Sequence, residues 1–243
     1  MQPASSAFAI SRQIDIAGFS REFQQKGIVQ IPGIFETDTA ERLHRSLREE
    51  VPWGLAYELA GKSQYLDSDR LAAIEPEAMQ DIERQIRSEA GKGFQYRYYN
   101  YPILDAYLQQ WPNEVPLLHG FLDFINGPQW LSLMRSVCGM PELRKCDAQA
   151  SLYAADCFLH RHSDAQSREG WRIAYVLGLT RNWRPEYGGT LQFLDDHGNT
   201  TLGLLPQFNT LNLFAVPRWH MVTHVPPYAP TERYSITGWL RDL

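Results

Sequence analysis

Five of the seven histidines lie between residues 160 and 224: His160, His162, His197, His220 and His224. Two of them fall in Phe158-Leu-His-Arg-His-Ser-Asp164, where one residue separates His162 from Asp164. On an extended strand, residues i and i+2 project to the same face, so this imidazole and this carboxylate can converge on one ion. A second histidine from far along the chain would complete a set of two imidazoles and one carboxylate. That set covers one octahedral face, leaves the other positions open and suits non-haem Fe(II). His220 is the candidate for the distal position, because Val222 and Val225 beside it read as packed. Its competitor His224 reads as a surface residue near a turn. His160 would share the face of His162, but His-x-His without the carboxylate describes a different kind of site. An isolated His-x-Asp tripeptide is weak evidence, so the assignment needs a second feature.

Arg233 supplies it. Thirteen residues beyond His220, it leads into Arg233-Tyr-Ser-Ile-Thr-Gly-Trp239, which reads as a strand. A guanidinium pointing inward from such a strand is unfavourable unless an anion meets it. A dicarboxylate with one end on the metal would meet it through a bidentate contact. Ser235 shares the face of Arg233 and offers a hydroxyl to the same anion. These residues together predict a linear keto-diacid in a pocket. Two other clusters have simpler accounts. Asp195-Asp196-His197 belongs to a hairpin turn ending in Gly198-Asn199 rather than to a second metal cluster. Gly188-Gly189 fits a bulge or a close backbone approach rather than phosphate binding.

The elements that must carry these residues follow from patterning. From about residue 145, short apolar runs alternate with turn signals, giving strands at Ile173–Leu179, Thr190–Leu194, Leu202–Leu205, Thr210–Phe214 and Tyr234–Leu240. Strands at near-regular spacing predict a sandwich or barrel. Upstream, residues 1–12 read as a loose leader and Gly27–Phe35 as a short strand turning at Pro32-Gly33. Thr37-Asp38-Thr39 offers caps for a helix through Glu50, with Leu43 and Leu47 on one face. Met79, Ile82 and Ile86 mark a helix within residues 67–91, and further helices fit 115–126 and 128–138. The stretch Phe94-Gln-Tyr-Arg-Tyr-Tyr-Asn-Tyr101 is β-prone, and its tyrosine-rich part 96–101 is either a core strand or part of a substrate-facing wall.

The 243 residues, 44% hydrophobic and 12% aromatic, suffice for a single domain, with a helix-rich part over 1–145 and a β core over 146–243. A net charge of -5, with 23 basic and 28 acidic residues interleaved, argues against a nucleic-acid partner. Three cysteines without a CxxC pair, no signal peptide and no long apolar run lead us to expect a cytoplasmic protein without a membrane partner.

Ser151 to Trp239 resembles the prolyl 4-hydroxylase-like group of 2-oxoglutarate/Fe(II) dioxygenases, most closely the ribosomal-protein prolyl hydroxylases. The matching features are Tyr153, nine residues before His162, then His162-x-Asp164, Arg172-Ile-Ala-Tyr-Val-Leu-Gly-Leu179, and Trp183 followed by Gly188-Gly189-Thr-Leu191. Leu205-Pro206, Leu213-Phe214, His220-x-Val222-x-x-Val225 and Arg233-x-Ser235-Ile-Thr-Gly-Trp239 complete the series in order. The resemblance implies a double-stranded β-helix, a distorted jelly roll, buttressed by N-terminal helices. It implies Fe(II) on His162, Asp164 and His220, 2-oxoglutarate as co-substrate, and ascorbate as a reductant. The reaction it implies hydroxylates an unactivated C–H with O2 and releases succinate and CO2. Related halogenases replace the carboxylate ligand by a small residue, so Asp164 points to hydroxylation. The implied substrate is a prolyl residue of a protein or peptide; a free amino acid or small metabolite shares every motif, and a non-catalytic jelly-roll binding module is the reading from another class. One position departs. Group members carry a tyrosine on 2-oxoglutarate where this chain has Gly178, and Tyr175 lies on the opposite face, which leaves Tyr153 as the second co-substrate contact.

Overall fold

The structure is a computed structural model that describes residues 8–112, 115–165 and 169–243. Its first part interleaves helices and strands: α1 (Ile16–Lys26), β1 (Ile28–Pro32), α2 (Thr37–Glu49), β2 (Gly54–Leu59), β3 (Lys62–Leu66), α3 (Ser68–Ala73), α4 (Pro76–Ala90) and β4 (Tyr96–Tyr101). Three more helices follow, α5 (Ile103–Gln109), α6 (Pro116–Ile125) and α7 (Pro128–Cys138). The remainder is β-rich: β5 (Lys145–Cys146), β6 (Gln149–Tyr153), β7 (Phe158–His162), β8 (Trp171–Leu179), β9 (Leu191–Leu194), β10 (Thr200–Leu204), β11 (Phe208–Ala215), β12 (His220–Val222) and β13 (Arg233–Arg241). Proline opens α4, α6 and α7, where its fixed φ suits the first helical turn and its missing N–H is not needed.

The strands form one sheet, mainly antiparallel, along the path β1-β11-β8-β13-β6-β4-β7-β12-β9-β10. Side chains from both arms of this path line a single cavity, so the sheet curls upon itself as a jelly roll. Strand parity divides each strand between two destinations. On β13, Arg233, Ser235, Thr237 and Trp239 face the cavity, opposite Tyr153, Ser151 and Gln149 of β6 and Gly178, Val176 and Ala174 of β8. The alternate residues Ile236 and Leu240 face outward, with Leu177 and Leu179 of β8 and Leu211 and Leu213 of β11. There they meet Leu43 and Leu47 of α2, Phe121 and Ile125 of α6, and Trp130 and Met134 of α7. Burial of these large apolar side chains, each worth roughly 1.5–3 kcal/mol, fixes the helices on the convex face. The cavity is thereby held open from behind.

Several expectations are corrected. The helix marked by Met79, Ile82 and Ile86 is α4, opened by Pro76 and ended at Gly91, and a separate short helix, α3, precedes it within residues 67–91 because Pro76 restricts the residue before it. The cap of α2 is Glu36, without a side-chain cap bond, rather than one of Thr37, Asp38 or Thr39. Instead the hydroxyl of Thr39 accepts from the backbone N–H of Ala9. Of the leader at 1–12, residues 1–7 lie outside the described residues, whereas Phe8 is only 4% exposed and packs edge-on against Phe121. The hairpin β2–β3 and the helices α1 and α5 were not anticipated. No helix among the described residues is long and apolar enough to cross a membrane.

Candidate active site

His162 ends β7 and His220 begins β12, and the two residues are register partners in the antiparallel pair. Asp164 follows two residues beyond His162. The pairing brings together residues that are distant along the chain, and the turn after β7 folds the carboxylate back toward both rings. The candidate ligand atoms of His162, Asp164 and His220 all lie within 4.8 Å of one another. Asp164 Oδ1 is 3.5 Å from His162 Nε2, and Asp164 Oδ2 is 3.7 Å from His220 Nε2. Each histidine has its Nδ1 2.8 Å from a carbonyl oxygen two residues earlier, His160 for His162 and Arg218 for His220. Such a contact places the proton on Nδ1 and leaves the Nε2 lone pair for an ion. Burial and the nearby His162 push the pKa of His220 down to about 4, which keeps it neutral. Two imidazoles and one carboxylate are a donor set that suits Fe(II).

Of the competing histidines, His160 holds its Nδ1 3.1 Å from the Gly93 carbonyl and stays outside the cluster. His224 is half exposed and faces Asp156 at 3.4 Å. Asp195 accepts backbone N–H bonds from His197 and Asn199, the pattern of a turn.

At the other end of the cavity, Arg233 is 4% exposed, and no carboxylate among the described residues pairs with it. Its register partner Tyr153 provides a hydroxyl hydrogen bond and a ring face whose centroid is 4.8 Å from the guanidinium carbon. Desolvation lowers the pKa of Arg233, and Tyr153 offsets part of that effect. The Ser235 hydroxyl is buried on the same face without a hydrogen-bond partner. A buried cation and an orphaned hydroxyl, side by side, form a seat for an anion. Gly189, at φ +61°, lets the backbone approach this seat, since a Cβ there would sit 3.3 Å from Arg233 Cδ. Gly188 is closer still: a Cβ would overlap the His224 carbonyl oxygen. At Gly178 a Cβ would overlap the Gln207 carbonyl oxygen, so no tyrosine fits there. Tyr175 faces the other way and donates its hydroxyl to the Asp147 carbonyl at 2.8 Å.

Two further residues, Trp171 and Trp239, escaped sequence reasoning. Trp239 donates its indole N–H to Asp164 Oδ2 at 2.9 Å, and its ring stacks on Trp171 at 3.9 Å between centroids. Phe94, Tyr96 and Tyr98 line the cavity beside His162. Trp239 had a usable signal, because it sits six residues after Arg233 on a strand and so shares its face. Trp171 had none.

Residues 148–241 match the 2OG-Fe(II) oxygenase superfamily. The chain is 32% identical over 117 residues to prolyl 3-hydroxylase OGFOD1 of Mus musculus, covering 45% of this chain and 20% of the relative. It thus spans about a fifth of the length of that curated relative. An oxidoreductase of the 2OG-Fe(II) oxygenase family from Burkholderia pseudomallei superposes with a TM-score of 0.61 at 16% identity, covering 99% of this chain and 97% of the other. A Pseudomonas putida prolyl-4-hydroxylase superposes with a TM-score of 0.58 at 18% identity, covering 93% and 98%. At these identities the likeness is one of fold. The family match covers the β core that carries the three converging side chains, and the likeness of fold extends over nearly the whole chain.

Proposed function

We propose that this protein is a 2-oxoglutarate- and Fe(II)-dependent hydroxylase that acts on a prolyl residue of a protein or peptide. In this reading His162, Asp164 and His220 hold the iron, and Arg233, with Tyr153 and Ser235, holds the distal carboxylate of 2-oxoglutarate. The observation that carries it is the buried Arg233, without a carboxylate partner among the described residues, in the same cavity as the three converging side chains. A resident carboxylate would have left no need for an anionic co-substrate, whereas an unpaired guanidinium calls for one.

Iron and 2-oxoglutarate supply the oxidising chemistry; the protein supplies orientation and exclusion of competing reactions. In balance, a substrate C–H, O2 and 2-oxoglutarate become C–OH, succinate and CO2, with one oxygen atom in the alcohol and the other in succinate. His162 and His220 present their Nε2 atoms from paired strands. Asp164 offers one carboxylate oxygen while Trp239 occupies the other. Arg233 and Ser235 would hold the far carboxylate of the co-substrate in the cavity that the metal site shares. Ascorbate would serve as an accessory reductant. The prolyl substrate is supported by the likeness to prolyl 3-hydroxylase and to a prolyl-4-hydroxylase fold.

The direct test is anaerobic addition of Fe(II) and 2-oxoglutarate to the folded protein. The expected result is a weak visible metal-to-ligand charge-transfer band, followed by succinate formation when O2 is admitted. A folded protein that gives neither would be a jelly-roll binding module instead.

A further inference from the structure

Near its C-terminal end β13 passes from one neighbour to another. Its register with β6 runs as far as Thr237 opposite Gln149, and pairing resumes with β5 at Leu240 opposite Cys146. Asp147 lies in the gap, across from Trp239. Its backbone N–H donates to the Trp239 carbonyl at 3.2 Å, as a ladder residue would. The return bond differs. The Trp239 backbone N–H donates to the Asp147 carboxylate Oδ1, at 2.7 Å, while the Asp147 carbonyl is turned aside to receive the Tyr175 hydroxyl. One aspartate therefore holds both backbone polar groups of Trp239.

The approach is close. A Cβ at Gly238 would lie 2.3 Å from the Asp147 carbonyl oxygen and 2.6 Å from Oδ1, so glycine is needed for the clamp to reach the strand. Arg241, two residues beyond Trp239, donates Nε to the other carboxylate oxygen at 2.8 Å. Asp147 is buried, and a carboxylate at such a depth is unfavourable unless donors of this kind meet it. A backbone carbonyl would close the ladder without that cost. What the carboxylate adds is a charge-assisted bond, shorter and stronger than a neutral one, at the residue that reaches the metal site.

From the clamp the contacts run on. The Trp239 ring lies against Trp171 with 9° between their planes, and the Arg241 guanidinium carbon is 5.7 Å from the Trp171 centroid. The indole N–H ends on Asp164 Oδ2. Rotation of a carboxylate exchanges its two oxygens, so whatever aims the indole also selects the oxygen left for an ion. The geometry points to Asp147 as a positioning residue for metal binding: acting through Trp239, it keeps one oxygen of Asp164 occupied and the other presented.

This inference rests on the reading of His162, Asp164 and His220 as the metal site, and the experiment separates the two. Co(II) is titrated into the purified protein by calorimetry, and its visible d–d absorption is recorded. A folded wild type that binds no Co(II) refutes the metal site, and the purpose of the clamp with it. With wild-type binding in hand, the variants test the clamp alone. Asp147→Ala should bind Co(II) about tenfold more weakly, with a changed d–d spectrum, whereas Asp147→Asn, which keeps an oxygen for the Trp239 N–H, should stay within about threefold of wild type. In a Trp239→Phe background no indole N–H remains to be aimed, so adding Asp147→Ala should cost less than about twofold more. A loss of equal size in both backgrounds would make Asp147 a structural residue of the strand and overturn the proposal. So would wild-type affinity in Asp147→Ala, or an Asp147→Asn as weak as the alanine variant. If Asp147→Ala does not fold, Arg241→Leu frees the same carboxylate from a partly exposed side chain and replaces it in the comparison, with a loss of about threefold expected.

Discussion

Arg233→Met sets the needs of the empty protein against those of the loaded one. The native guanidinium is buried with only the Tyr153 hydroxyl and ring as partners. Exchanging buried ionic groups for hydrophobic ones of similar volume stabilises by roughly 1–4 kcal/mol, and about 2 kcal/mol is a reasonable value given the partial compensation by Tyr153. For a chain of this size each kcal/mol corresponds to roughly 2–4 °C, so the apo variant should melt about 4–8 °C above the native apo protein. Co-substrate binding should move the opposite way. A hydrogen-bonded contact to a charged group contributes roughly 1.5–3 kcal/mol. Its loss weakens 2-oxoglutarate by about 12- to 140-fold, at about 1.4 kcal/mol per factor of ten. Differential scanning fluorimetry with and without Fe(II) and 2-oxoglutarate, beside a charge-transfer titration, reads both effects in one preparation. Because ligand at 100 times its Kd stabilises by about 2.7 kcal/mol, the native protein should gain on the variant when ligand is added. An apo variant that melts below the native protein, or a Kd changed by less than threefold, would show that Arg233 is a structural residue and not an anion seat.

Trp239→Phe keeps the stack on Trp171 but removes the N–H donated to Asp164, so affinity for Fe(II) or its Co(II) substitute should fall about tenfold by calorimetry; affinity unchanged from native would dismiss the contact. Asp164→Ala should abolish succinate formation while the far-ultraviolet circular dichroism stays native-like, and residual turnover above a tenth of native would exclude this carboxylate from the reaction. Gly178→Ala should destabilise by about 2 kcal/mol in urea, because its Cβ meets backbone that cannot move cheaply. Wild-type stability in that variant would mean that β8 and the Gln207 segment separate readily.

The readable parts of the fold were those governed by local periodicity. Leu43 and Leu47 sit four apart and are both fully buried on α2, and strand parity alone put Arg233 and Ser235 on one face. Register was beyond reach, since nothing local says that His220 stands opposite His162 or Tyr153 opposite Arg233. The hairpin β2–β3 was missed for a specific reason. Its two-residue turn is Ala60-Gly61, both at positive φ, and alanine there gives none of the usual asparagine or aspartate signal. The site's outline came from residue types at fixed spacing. Its aromatic wall did not, because a tyrosine-rich strand looks the same whether its rings face a core or a cavity.

The strand β1 has a consequence for how this protein can be divided. It lies along β11, pairing Ile28 with Phe214 and Ile31 with Leu211, and so shields what would otherwise be a raw margin of the jelly roll. The recognisable motif region begins only at residue 148, more than a hundred positions later. A fragment cut to that region would keep every chemically suggestive residue, yet bare a template for intermolecular strand addition along β11 and uncover the greasy back of the sheet. Such a fragment should self-associate, so the sequence boundaries of the motif are not the boundaries of a foldable unit.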